Sequence, residues 1–203
     1  GEDVEDPFGG AFKATKGLST KYPGRVRNAP ISEDAIAGAA IGAALEGMRI
    51  ERNLRLALRR QEFRLAFQPI VDLSSGRTVA VEALLRWKNA ELGKVPADKF
   101  IPIAEECGLI HDIGEWVLIE ACRVVSELQP DHDFRVAINL SSRQFSHPNH
   151  LLDCVLLALR RSGLMPNQLE LEITETILID DRSEISDLIN QLDRIGVRLS
   201  IDD

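Results

Sequence analysis

The most constraining feature of the sequence is an alternation of strand-like and helix-like segments that begins near residue 62. Runs of alternating or continuous apolar residues predict five strands, at 63–73, 78–87, 134–140, 168–174 and 197–201. Apolar residues three or four positions apart predict intervening helices at 97–107, 113–128, 149–162 and 182–195. Alternation of this kind predicts an α/β fold with a parallel sheet. Five strands fit either an open sheet or part of a (β/α)₈ barrel, which requires eight.

The segment before this alternation has a different composition. Residues 1–31 are rich in Gly, Pro and Lys, which predicts a flexible tail or linker. Ser32 is a good N-cap for a helix that extends to about Arg60, so we expect residues 32–61 to form a linker helix leading into a domain at 62–203. No segment approaches the roughly 20 consecutive apolar residues of a membrane helix.

The charge of the predicted domain limits its partners. Residues 62–203 hold 14 Lys and Arg against 24 Asp and Glu, a net charge of −10. Proteins that bind nucleic-acid polymers rely on basic surfaces, so this domain is not expected to bind one. A phosphate-containing substrate would instead need metal ions beside the acidic groups.

Cysteines and histidines give weaker signals. The three cysteines, Cys107, Cys122 and Cys154, form no CxxC pair, which favours reduced thiols and a cytoplasmic location, including the cytoplasmic part of a membrane-anchored protein. His147 and His150 are three residues apart, but the proline between them predicts a helix start rather than a metal site.

Oxygen-bearing side chains occur late in several predicted strands or at their ends. They are Glu82, Asn139, Glu172, Asp202 and Asp203. The carboxyl ends of parallel strands form the usual site edge of α/β folds, and carboxylates gathered there repel one another unless a cation neutralises them. Such ligands suit Mg²⁺, Mn²⁺ or Ca²⁺, and Arg86 could contact a phosphate. The alternative is that these are surface acids at strand ends.

Five motifs in this order resemble those of the EAL domain family, the cyclic-di-GMP phosphodiesterases of bacterial signalling. They are QPIVD at 68–72, VEALLRW at 81–87, INLS at 138–141, LEITE at 171–175 and IDD at 201–203. The resemblance implies a modified TIM (β/α)₈ barrel whose first strand is antiparallel to the others. About five of its strands would be present here, preceded by the long helix and the flexible tail.

The resemblance also implies a reaction and its residues. Mg²⁺ or Mn²⁺ would activate a water that opens cyclic di-GMP to linear pGpG. The first metal would be held by Glu82, Asn139, Glu172 and Asp202, and the second would be reached by Asp203. The residues matching substrate contacts are Gln68, Leu84 and Arg86. Glu175 would stabilise the loop after its strand, a loop that contributes to a homodimer in intact members.

The sequence departs from the family after Asp203, where a catalytic lysine and further metal and substrate residues are expected. We therefore identify no catalytic residue and expect the 203-residue chain to be inactive, although the intact domain would hydrolyse cyclic di-GMP. The alternative is an inactive EAL domain that binds cyclic di-GMP or another protein. Residues 1–45 resemble no family that we can name, which leaves an upstream sensor or cyclase module open.

Overall fold

The computed structural model describes residues 18–21, 33–128, 133–174, 177 and 183–202. The chain divides into two compact units, residues 1–49 and residues 50–203. The first unit contains α1 (Leu18–Lys21) and most of α2 (Glu33–Ala57). The rest of the predicted tail lies outside the described residues, so its flexibility stays a prediction. No helix in the described part of the chain is long and apolar enough to cross a membrane.

The second unit is a mixed α/β structure with one six-stranded sheet. Its strands are β1 (Phe63–Val71), β2 (Thr78–Asn89), β3 (Gly93–Val95), β4 (Arg135–Asn139), β5 (Leu169–Thr174) and β6 (Arg198–Asp202). Its α-helices are α3 (Ala97–Glu106), α4 (Ile110–Glu127), α5 (Pro148–Ser162) and α6 (Ser183–Ile195), with 3₁₀ helices at Ser142–Ser146 and Pro166–Gln168. The predicted α/β fold is confirmed.

The sheet has the order β1-β2-β4-β5-β6, and β3 pairs with the end of β2. β1 is antiparallel to β2, whereas β2, β4, β5 and β6 are mutually parallel. This is the antiparallel first strand that the family resemblance implied. β3 was not predicted from the sequence, because three residues after a turn are too few to show a period-two pattern.

The parallel strands are staggered as in a barrel. Asn139 lies two residues beyond the partner of Glu82 and level with Glu172, and Asp202 lies two residues beyond the partner of Glu172. The row of positions therefore moves two residues toward the carboxyl end between β2 and β4. It stays level between β4 and β5, and it moves two residues again between β5 and β6. A closed barrel with tilted strands requires an accumulating stagger of this kind.

The main core lies between the helices and one face of the sheet. On this face Phe63 packs near Trp87, Phe100 and Trp116, with ring centroids 6.0 Å away in each case. Such tilted aromatic pairs are favourable in addition to the area they bury. The opposite face carries Gln68, Glu82 and their neighbours, so the alternation of the strands separates the apolar core from the polar face.

A polar cluster joins the start of β1 to the end of β2. The carboxylate of Glu62 accepts hydrogen bonds from Trp87 Nε1 at 3.0 Å and from Asn89 Nδ2 at 2.9 Å. Asn89 is buried, so its amide depends on these protein partners. These contacts hold β2 in register where it extends beyond β4.

Two helices end at the glycines that the sequence predicted. α5 begins at Pro148 and ends at Gly163, whose φ of 72° is a left-handed conformation that glycine adopts without strain. Gly196, with φ of 95°, follows α6 in the same way. Two boundaries differ by three residues: α2 ends at Ala57 rather than at about Arg60, and α4 begins at Ile110 rather than at the predicted residue 113. At α4 the early start follows Gly108, whose φ of 77° separates this helix from α3.

Candidate functional site

Four of the proposed metal ligands occupy one edge and one face of the sheet. Glu82, Asn139, Glu172 and Asp202 lie on β2, β4, β5 and β6, and their register gives all four positions the same side of the pleat. Three of them lie at or near the carboxyl ends of parallel strands. The edge predicted from the sequence is therefore the edge at which the structure places them.

One pair in this row is in direct contact. Asn139 Nδ2 donates a hydrogen bond of 2.8 Å to Glu82 Oε1 across the β2–β4 boundary. Asn139 is exposed and Glu82 is half-buried, so both side chains can be reached from solvent. The contact leaves the Asn139 side-chain carbonyl oxygen and Glu82 Oε2 as neighbouring potential ligands for a hard cation.

The next strands continue the row. Glu172 is half-buried and lies level with Ser200 of β6. Ser200 Oγ is buried and has no hydrogen-bond partner among the described residues. Because buried hydroxyl groups are normally paired, an unpaired one beside Glu172 indicates that a further polar group belongs in this space.

The end of β6 and the loop after β5 are described only in part. The backbone of Asp202 ends β6 opposite Thr174 of β5, which places it at the same edge as Glu172. Asp203 and Glu175 lie outside the described residues, so their roles stay predictions.

The residues predicted to contact substrate lie on the same face. Gln68 of β1 pairs with Glu82, and Leu84 and Arg86 follow Glu82 at two-residue steps along β2. The last pair between β2 and β4 is at Glu82, so Leu84 and Arg86 extend beyond the row of acids. The exposed guanidinium of Arg86 donates to the backbone oxygen of Leu85 at 3.0 Å. At a rise of about 3.3 Å per residue, Arg86 is some 13 Å along the strand from Glu82.

A cavity of about 390 Å³ adjoins this edge. Its wall includes Leu84, Arg86 and Asn139 from the sheet and apolar side chains from α3 and α4, such as Ile101 and Val117. A mostly apolar cavity with a few polar groups at its mouth is the usual form of a small-molecule site.

The residues that shape this wall were not predicted from the sequence. Ser141 caps the 3₁₀ helix after β4 and donates from Oγ to Glu105 Oε1 at 2.8 Å. Gln144 completes a capping box by accepting from the Ser141 backbone N–H at 3.0 Å. The spacing Ser-x-x-Gln at 141–144 is a sequence signal for this motif and could have been recognised. Nothing in the sequence, however, indicates that Glu105 lies beside it.

The donor set fits a hard divalent cation. Carboxylates, one amide and one hydroxyl supply only oxygen at the described positions, and oxygen is what Mg²⁺, Mn²⁺ and Ca²⁺ prefer. The unpaired Ser200 hydroxyl beside Glu172 agrees with a site that takes a further polar or charged group.

Comparisons with known proteins identify the family. The family model of the EAL domain matches residues 51–203, about three quarters of the chain. The bifunctional diguanylate cyclase/cyclic di-GMP phosphodiesterase MucR of Pseudomonas aeruginosa is 43% identical over 162 residues, which cover 79% of this chain and 24% of MucR. The cyclic di-GMP phosphodiesterase NbdA of the same organism is 38% identical over 162 residues, covering 79% of this chain and 21% of NbdA.

A solved structure gives the same result. The phosphodiesterase of Pseudomonas aeruginosa MucR in complex with c-di-GMP superposes with a TM-score of 0.71 at 41% identity, over 76% of this chain and 63% of that chain. The chain spans about a fifth to a quarter of the length of the curated relatives it matches.

The amino-terminal segment has a separate match. The family model of the transketolase pyrimidine binding domain matches residues 1–51, whereas the sequence analysis found no resemblance for residues 1–45. This match covers a quarter of the chain and meets the other model only at residue 51. The larger match, the sheet with its antiparallel first strand and the row of acids at the strand ends all agree, and the chain belongs to the EAL domain family.

Proposed function

We propose that residues 51–203 bind cyclic di-GMP with the help of Mg²⁺ or Mn²⁺, and that the intact domain hydrolyses one phosphodiester bond of this nucleotide to give pGpG. The observation that carries the proposal is the row formed by Glu82, Asn139, Glu172 and Asp202 at one edge and on one face of the sheet. The MucR structure that resembles this chain is a complex with c-di-GMP, which supports the choice of ligand.

The proposed roles follow from position for the described residues and from the family resemblance for Asp203 and Glu175. Glu82, Asn139, Glu172 and Asp202 would hold the cation, with Asp203 at a second one. A bound divalent ion supplies positive charge for the phosphate and lowers the pKa of a bound water. Arg86 would bind a phosphate, because its planar guanidinium presents paired donors to phosphate oxygens. Gln68 and Leu84 would contact the rest of the nucleotide, and Glu175 would support the loop after β5.

Binding and hydrolysis of cyclic di-GMP can be tested separately in these 203 residues. The printed sequence has no lysine after Lys99, so these 203 residues do not supply the lysine that the family resemblance implies. We therefore expect the 203-residue chain to bind cyclic di-GMP and to release pGpG no faster than buffer.

Metal-dependent stabilisation tests the site directly. Mn²⁺ with cyclic di-GMP at 100 times its dissociation constant should stabilise the chain by about 2.7 kcal/mol, a rise in Tm of roughly 5–10 °C. Glu172→Gln and Glu82→Gln should lose most of this rise, because each removes an anionic ligand. The measurement is differential scanning fluorimetry, with each variant compared with its own ligand-free Tm.

Glu170→Gln is the matched control. Glu170 lies on the same face of β5, two residues before Glu172, and pairs with Arg135 at 2.9 Å. Its replacement should lower the ligand-free Tm but preserve the rise with Mn²⁺ and nucleotide. No rise in the unmodified chain, or an equal rise in Glu172→Gln, would contradict the proposed site. Formation of pGpG that Glu82→Gln abolishes would show that the chain as printed is already an enzyme.

A further inference from the structure

A second group of side chains that could bind a metal lies between α4 and α5. It is separate from the row of Glu82, Asn139, Glu172 and Asp202, which is called the acidic row below. Glu115 of α4 and His150 and Cys154 of α5 each offer one ligand atom, and these atoms all lie within 4.8 Å of one another. Among the described residues, no other group of three or more His, Cys, Asp and Glu side chains has its ligand atoms this close together. Neither the family resemblance nor the proposed function uses these residues.

The two helices contribute matching pairs. His111 and Glu115 are four residues apart on α4, and His150 and Cys154 are four residues apart on α5. Residues four apart lie on the same side of a helix, so each helix presents an imidazole and an anionic or potentially anionic group. The His111 ring centroid is 6.3 Å from that of His150, which brings the two pairs face to face.

The distances suit a small tetrahedral ion. Cys154 Sγ lies 3.6 Å from His150 Nε2 and 3.9 Å from Nδ1. With Zn–S near 2.3 Å and Zn–N near 2.05 Å, a tetrahedral angle separates sulfur and nitrogen ligands by about 3.6 Å. Both ring nitrogens are close to the thiol, and His150 is exposed, so a turn of its ring directs one nitrogen to a shared ion.

The space between the helices has the matching size. A cavity of about 10 Å³ is lined by His111, Glu115, His150 and Cys154 together with Gln144. A volume of this order is about that of one water-sized probe. Cys154 is buried and Glu115 is half-buried, so an ion held there would be partly shielded from water.

We propose that Glu115, His150 and Cys154, with His111 as the fourth ligand, form a site for a divalent transition-metal ion of the zinc class that joins α4 to α5. Mixed sulfur, imidazole and carboxylate ligands suit Zn²⁺, whereas the oxygen ligands of the acidic row suit Mg²⁺ or Mn²⁺. On binding, the Cys154 thiol releases its proton to the buffer and the thiolate forms a bond to the metal. The two sites therefore select different ions.

Co²⁺ provides a spectroscopic test, because a cobalt–thiolate bond adds a charge-transfer absorption in the near ultraviolet. The full 203-residue chain is freed of metal with a chelator, exchanged into Mg²⁺ buffer and titrated with Co²⁺. We expect one equivalent to produce this absorption and Zn²⁺ to remove it by competition. Zn²⁺ should also raise the Tm of the unmodified chain.

Variants assign the ligands. Cys154→Ser should abolish the absorption, whereas Cys107→Ser, which alters a thiol at the end of a different helix, should retain it. His150→Ala changes an exposed side chain, and it should weaken Co²⁺ binding by about tenfold or more. Because His150→Ala leaves the thiol in place, it tests the site even if Cys154→Ser fails to fold.

The outcomes separate the two sites. Absence of the absorption in the unmodified chain, its persistence in Cys154→Ser, or unchanged affinity in His150→Ala would each overturn the transition-metal site. Glu172→Gln should leave the cobalt absorption unchanged, because Glu172 belongs to the acidic row. Failure of cyclic di-GMP binding would leave the cobalt result intact, and the reverse also holds.

Discussion

Gly114 shows how one residue controls the wall of the candidate site. A Cβ atom placed on Gly114 would clash with Gln144 Nε2 and would lie 2.9 Å from Gln144 Cδ. Gln144 is buried, and its amide oxygen accepts from the Ser141 backbone N–H, so the side chain is not free to swing away. Glycine is therefore needed at this position of α4 for the close approach of Gln144, not for backbone freedom.

Gly114→Ala should destabilise the protein although alanine favours helices more than glycine does. We expect a loss of about 1–3 kcal/mol in the free energy of unfolding, because Gln144 must move and abandon its hydrogen bond. Urea denaturation followed by circular dichroism measures the loss.

A double-mutant cycle with Gln144→Ala isolates the cause. In the Gln144→Ala background the added methyl group no longer meets the Gln144 amide, so Gly114→Ala should be neutral or stabilising by up to about 1 kcal/mol. An equal loss in both backgrounds would show that the cost arises elsewhere in α4.

At the scale of elements, the helices set the chemistry of the three cysteines. Cys122 lies on the buried side of α4, and burial raises the pKa of its thiol to about 12. On α5, burial, followed by the nearby carboxylates of Glu115 and Asp153, raises the pKa of Cys154 to about 11. Cys107 lies at the end of α3 and is only partly buried. Reactivity requires access and the thiolate form, so the helices protect two thiols and leave one available.

Thiol labelling at pH 8 in the presence of a chelator should therefore be biphasic. We expect one equivalent of an aromatic disulfide reagent to react rapidly at Cys107. The other two thiols should react only as fast as the protein opens, because both raised pKa values keep the thiolate scarce at this pH. Cys107→Ser should remove the rapid phase, and a rapid phase that persists in this variant would contradict the assignment.

At the scale of the whole molecule, the sheet is a staggered barrel wall with two open edges in the described residues. Within that part of the chain β1 pairs only with β2, and β6 pairs only with β5. Ile201 of β6 is 60% exposed. Unpaired strand edges with apolar side chains promote pairing with other chains.

The 203-residue chain should consequently associate in a concentration-dependent manner. Sedimentation velocity over a range of concentrations should show dimers or larger species, and Ile201→Lys should reduce them because a charge on an edge strand opposes pairing. Leu73→Lys is the matched control, since Leu73 is 99% exposed in the β1–β2 turn and not on a strand edge. A monomer at all concentrations would contradict the prediction.

The local pattern was sufficient for the five longer strands, for most of the helices and for the placement of Glu82, Asn139, Glu172 and Asp202. Period-two alternation located the five longer strands, and helical spacing that ends at Gly163 and Gly196 located the helices, because these signals depend on neighbours in the chain. In α/β folds, sites form at the carboxyl ends of parallel strands, and these ends meet at one edge because the strands run in the same direction. This predicted that one edge would hold Glu82, Asn139, Glu172 and Asp202. The structure agrees with that placement, and metal binding itself stays a proposal.

Contacts between distant segments required the folded chain. The hydrogen bond between Glu82 and Asn139 depends on the register of two strands 57 residues apart, which no local periodicity specifies. The clash at Gly114 likewise depends on how α4 packs against the loop after β4.

The group formed by Glu115, His150 and Cys154 is the clearest case. The sequence showed two histidines three residues apart around a proline and gave no reason to favour a metal site. α4 and α5 must pack side by side before ligands from both helices meet, and that packing is set by burial of the whole core rather than by the spacing of any one motif.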